Sequence, residues 1–218
     1  MIIAIEPIPD TGLLSLIQWL SPAFPTGAFA YSHGLEVAMA GGEVRDGQGL
    51  RDWLGDVLER GSGWTDAVLL ARGLQPEADL DALSDLARAL AASAERLRET
   101  EDQGAAFAAT TAALTGQDWP ARPLPLAVAQ AARVLHLPVS QVIGIYLHGF
   151  ASNLVSCALR FIPLGQTEGQ ATLARLHPVI GRLTMAAAQP GAELATAALR
   201  ADLQSMAHET LQPRIFRT

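Results

Sequence analysis

The sequence predicts an all-α fold, a single helical domain wrapped around a long buried central helix. Three observations point to it. Pro138 to Gln170 is the longest nearly unbroken apolar run, alanine is abundant, and strand-like alternation is scarce. The only short β-prone pieces are Met1 to Ile5 and Arg214 to Phe216. With 218 residues, half of them hydrophobic, the chain can build one substantial core. Residues 1–210 form the predicted domain, and 211–218 a tail.

The elements follow in order. Thr11 can cap a helix from Gly12 to Leu20, with Leu13, Leu16, Ile17 and Leu20 on one face. Next comes SPAFPTGAFAYSHGLE, residues 21–36, where Pro22, Pro25 and Gly27 forbid helix and fix a turn. Ser32 then caps a helix that ends at Gly41-Gly42. Leu50, Trp53, Leu54, Val57 and Leu58 mark an amphipathic helix closed by Gly61. Further helices are predicted over Asp66 to Gly73, Asp79 to Ala92 and Glu95 to Leu114. Within the last, Gly104 costs about 1 kcal/mol against alanine, which suggests a close helix contact. Three prolines make Gly116 to Pro125 a loop, and Leu126 to Leu135 returns to helix.

The central helix is expected over Val139 to Phe161, roughly 35 Å long, with Ser140 as cap and Pro163 as stop. It is apolar nearly all round, so it is either a membrane span or a buried axle. His148, Asn153 and Arg160 within the slab, and no flanking basic cluster, favour the axle. Thr167 and Gln170 then have capping-box spacing. They lead into helices at about Gln170 to Leu176, Val179 to Ala188 and Ala192 to Glu209. The ending RIFRT places Ile215 and Phe216 between two arginines, to dock on its own domain or be offered to a partner.

Composition excludes several functions. All 15 basic residues are arginine, the net charge is −7, and no basic face is clustered, which argues against a nucleic-acid partner. Without lysine the chain cannot be a standard P-loop NTPase. The lone Cys157 allows no intrachain disulfide, which suits a reducing compartment, and the N-terminus shows no signal-peptide pattern. No two of His33, His136, His148, His177 and His208 have the helical spacing of a two-histidine metal face. Only His33 and Glu36 share such a spacing, a pair best read as capping or solvated. His148 reads as a hydrogen-bonded core residue. Glu95, Glu99, Glu101 and Asp102 read as the solvated face of a helix. Arg160, if buried, must pair with a carboxylate or several carbonyls. No catalytic elbow or cysteine–histidine signature is present, so an interaction protein without metal or cofactor is expected. A second reading is a helical enzyme or small-molecule binder, with His148, Asn153 and Arg160 lining a polar core pocket. A ligand-sensing regulator is a third, disfavoured because no basic reading helix is present.

Three segments resemble the urease accessory protein UreF family. Pro22, Pro25, Gly27, Phe29, Tyr31, Ser32, Gly34, Leu35 and Glu36 match its SPxxPxGxFxYSxGLE pattern. Arg160 with Pro163, Leu164, Gly165, Gln166 and Gln170 matches R-x-x-PLGQ-x-x-x-Q, and Ile215-Phe216-Arg217-Thr218 is like the family's LFRS ending. The resemblance implies an all-helical, non-enzymatic, cytoplasmic chaperone of nickel insertion. Such a protein dimerises, binds UreD (UreH) and recruits the UreG GTPase to apo-urease. It marks Pro25, Gly27, Phe29, Tyr31, Ser32, Glu36, Arg160, Gln166, Ile215, Phe216 and Arg217 as expected partner-binding residues. It also implies a tail that becomes ordered on UreD.

Overall fold

The computed structural model of the chain describes residues 11–217, so the β-prone Met1 to Ile5 and Thr218 lie outside it. The described residues are helical, without a strand among them. They form α1 (Thr11–Trp19), α2 (Leu35–Ala40), α3 (Gly47–Arg60), α4 (Ser62–Gly73), α5 (Leu80–Ala89) and α6 (Ala94–Thr115). There follow α7 (Leu124–Ala132), α8 (Val139–Phe161), α9 (Gln166–Ala187) and α10 (Leu199–His208). Short 3-10 turns sit at Ala28–Ala30 and Arg133–Leu135.

Side-chain caps start three of these helices. Asp46 accepts from Gly49 N at 2.8 Å before α3, Asp79 from Asp81 N and Ala82 N before α5, and Ser93 from Arg96 N before α6. α8 is the axle, packed against α9, α4, α2 and α3. Val142, Ile143, Leu147, Leu154, Val155 and Ala158 face inward, joined in the core by Leu50, Leu54 and Leu58 of α3 and Val68 and Leu70 of α4. α8 is also the one described helix long and apolar enough to cross a membrane, and here it serves as a core helix.

Several expectations are corrected. α8 begins behind Pro138 without a side-chain cap, so Ser140 lies inside the first turn. It is not buried all round either, since His148, Ser156 and Arg160 reach the surface. α9 is one helix with Pro178 inside it, and it starts after Gly165 rather than at a capping box, since Thr167 and Gln170 both lie within it. Its apolar face of Leu173, Leu176, Ile180 and Leu183 packs on both sides of the proline. That continuous burial outweighs the roughly 3 kcal/mol a mid-helix proline costs. The last helix is shorter than expected. Residues 192–198 run irregularly instead, held by Ala197 N to Arg60 O at 2.7 Å and Trp64 Nε1 to Glu193 O at 3.0 Å. Gly104 does mark a close approach, although to a loop. A Cβ there would run into the Arg122 carbonyl oxygen and lie 2.8 Å from Leu124 N.

Candidate functional site

The proline-rich loop is pinned at one end by Phe24, buried against Phe107 with ring centroids 5.6 Å apart. Pro25 stays exposed, and Gly27 at φ +73° turns the chain into the Ala28–Ala30 turn. That turn leaves Phe29 68% exposed while Tyr31 points inward and donates to Asp102 at 2.8 Å. Burial, reinforced by the Asp102 carboxylate, raises the Tyr31 pKa above the usual phenol range. His33 and Gly34 both take positive φ, at 60° and 80°. At Gly34 a Cβ would meet Ser205 N at 2.7 Å, so α10 lies against bare backbone. Ser32 does not take the cap position expected of it, which Gly34 holds without a side-chain bond, although its Oγ accepts from Glu36 N at 3.3 Å.

The tail folds back onto this loop. Arg217 N donates to Ala30 O at 2.7 Å, and Ile215 N and Phe216 N donate to the two Glu36 carboxylate oxygens at 2.7 and 3.0 Å. The Phe216 ring is buried, and the Arg160 guanidinium carbon lies 4.7 Å from its centroid, within cation–π range. Arg160 also donates to Phe29 O at 2.7 Å, which ties loop, axle and tail together. It is exposed and rests on two carbonyls, the Cys157 sulfur at 3.2 Å and a ring; among the described residues no carboxylate pairs with it. Ile215, between these anchors, is 70% exposed.

Beneath the loop lies a buried ionic network. His208, fully buried, sits between Glu95 Oε2 at 2.7 Å and Glu36 Oε2 at 3.0 Å, and Arg214 Nη1 donates to Glu95 Oε1 at 2.7 Å. Beside it, Arg96 pairs with Asp66 at 2.8 Å, and Tyr146 also donates to Asp66, at 2.7 Å. Burial alone would raise the Glu99 pKa, but the neighbouring His33 and Arg96 bring it below the ordinary glutamate value. Tyr146 is shifted far up, by burial and then by the Asp66 charge. His33 joins Glu99 through Nδ1 at 3.0 Å and Ser62 Oγ through Nε2 at 2.6 Å.

Ser62, His33 and Glu99 thus have the order of a hydrolase relay. Their surroundings give them structural work instead. His33 is 6% exposed with its ring edge against Phe150, and Glu99 is shared with Arg96 and Gln103. The other nucleophile, Cys157, has its thiol pKa pushed up to about 11 by burial, against the pull of Arg160.

The structure therefore joins Phe29, Tyr31, Ser32, Glu36, Arg160, Ile215, Phe216 and Arg217 into one region, with Pro25 and Gly27 in the same loop. Gln166 stands apart as the exposed first residue of α9, with no side-chain hydrogen bond among the described residues. The polar core pocket is not formed. His148 is exposed, Asn153 donates to Ala28 O at 2.9 Å, and Arg160 is outside the core. Glu95 and Glu99 are not a solvated face but are 6% and 3% exposed. His33 and Glu36, three residues apart, do not pair with each other; their carboxylate and imidazole partners are Glu99 and His208. The roles of Asp66, Arg96 and Glu99 were missed. The available signal is that Glu99 lies at helical neighbour spacing from both Glu95 and Arg96 in a helix opened by a serine cap.

A family model described as UreF matches residues 44–177, which leaves the proline-rich loop and the tail outside the match. A urease accessory protein UreF of Cereibacter sphaeroides strain ATCC 17029 is 65% identical over 210 residues, covering 96% of this chain and all of the relative. UreF proteins of Jannaschia sp. strain CCS1 and Paracoccus denitrificans strain Pd 1222 are 50% and 51% identical, over 95% and 96% of this chain and 94% and 98% of their own lengths.

Proposed function

Because the chain belongs to the UreF family of urease accessory proteins, we propose that it serves urease maturation as a non-enzymatic adaptor in the cytoplasm. It dimerises, binds UreD (UreH) and recruits the UreG GTPase to apo-urease, whose nickel is the cargo of the assembly. The observation that carries this reading is the clasp of tail on loop. Glu36, Arg160 and Ala30 O hold residues 215–217 while Phe29, Ile215 and Arg217 remain exposed beside one another's anchors. Tyr31, Ser32, Glu36 and Phe216 are buried, so they shape the surface; Pro25, Phe29, Arg160, Ile215 and Arg217 meet the partner. Large apolar groups with arginines beside them are the usual anchors of protein interfaces.

Pull-down by UreD and UreG, with the full chain and with a chain lacking 211–218, tests the reading. Loss of UreD capture on truncation is the expected result. Equal capture by the truncated chain would refute the role given to the tail.

The chain is inferred to carry no reactive centre, because the one relay-like geometry among the described residues is spent on holding elements together. Incubation with a p-nitrophenyl ester or a fluorophosphonate should give neither turnover nor labelling. Labelling of Ser62 would contradict that inference.

A further inference from the structure

The five histidines differ in what their ring nitrogens touch. His33 has both nitrogens engaged, by Glu99 and Ser62, and His208 both, by Glu95 and Glu36. His136 sits by itself at the end of a 3-10 turn, exposed, with φ 52°. His148 of α8 and His177 of α9 face each other across the surface seam of these two helices, ring centroids 5.5 Å apart and planes tilted by 41°. Both are exposed, and among the described residues neither ring makes a hydrogen bond.

Two uncommitted imidazoles at this separation are a chelating pair. With metal–nitrogen bonds of 2.0–2.1 Å, two imidazoles on one tetrahedral ion have ring centroids about 5 Å apart. The observed 5.5 Å is close to that separation. Imidazole selects borderline first-row ions over magnesium or calcium, which prefer oxygen donors. No group of three or more histidine, cysteine, aspartate or glutamate ligands occurs among the described residues. Water, or donors from another molecule, would complete the coordination, and an ion held at two points exchanges readily.

We propose that His148 and His177 together form a surface site for a first-row divalent transition ion such as Ni²⁺ or Zn²⁺. This departs from the sequence-based expectation of no metal, and it does not depend on the adaptor reading. Metal binding by the isolated chain is measured without any partner, so failure of one leaves the other standing.

The test uses the untagged full chain, titrated with Ni²⁺ alone and Zn²⁺ alone by calorimetry. The expected result is one ion per chain, with affinity reduced about tenfold or more in both His148→Gln and His177→Gln, since each removes one of two ligands. His136→Gln should bind as the parent does. Saturating ion should also raise the melting temperature of the parent but not of the two variants. Both rings are exposed and unbonded, so the variants should fold, and their metal-free melting curves check this. Equal affinity in parent and both variants, loss of binding in His136→Gln instead, or no saturable binding at millimolar ion would overturn the site.

Discussion

At the scale of single residues, the buried ionic network is where removing one side chain costs most. Arg96 and Asp66 are each nearly inaccessible, with side chains 9% and 7% exposed, so removing one partner strands a charge. Arg96→Ala should therefore cost about 3–5 kcal/mol, read by urea denaturation. A loss under 1 kcal/mol would show the network to be dispensable. Arg160→Ala should cost much less, because its guanidinium is exposed and answers two carbonyls, the Cys157 sulfur and one ring, with no charged partner among the described residues. Glu99 adds a pH dependence whose sign is fixed by its lowered pKa. A carboxyl with a folded pKa below its unfolded one contributes stability above the unfolded value and loses it as pH falls through the folded value. Melting temperature should accordingly hold near neutrality and fall below about pH 4.5, the ordinary glutamate value. In Glu99→Gln that acid-side fall should be shallower. These pairings were not legible in the sequence. A glutamate at helical spacing from an arginine looks like a solvated pair, and only the fold brings His33 and Asp66 to bury it.

At the scale of elements, glycine positions make the sharpest predictions. Gly34 combines φ +80° with Ser205 backbone where a Cβ would go, so Gly34→Ala should loosen α10 from α2 and cost about 2 kcal/mol or more. Gly181 is its opposite, helical and exposed with nothing within 4 Å of a Cβ. Gly181→Ala should stabilise by up to about 1 kcal/mol, measured in the same urea titration. If both substitutions had the same sign, the packing at Gly34 described above would be wrong. The element pattern was largely readable from apolar periodicity; the caps were less so, since Ser140 and Thr167 fall inside helices while Asp79 and Ser93, not singled out in the sequence, do the capping. α8 emerged with its predicted bounds because its apolar length is intrinsic. The joined α9 and the shortened α10 did not. Whether Pro178 ends a helix depends on what its two flanks pack against, and the irregular 192–198 is held by distant Arg60 and Trp64.

For the whole molecule, the loop, the axle and the tail converge on one exposed region. The region was visible in outline as three motifs, while the clasp itself was not. Glu36 binding two tail amides joins residues 179 and 180 positions apart in the chain. The central claim is that Phe29 and Ile215, held out by that clasp, are where UreD binds. Titration calorimetry of UreD against the full chain, Phe29→Ala and Ile215→Ala tests it most directly, because both side chains are exposed and neither change should move the melting temperature. The account predicts that each substitution weakens binding about tenfold or more. Unchanged affinity in both variants would contradict it.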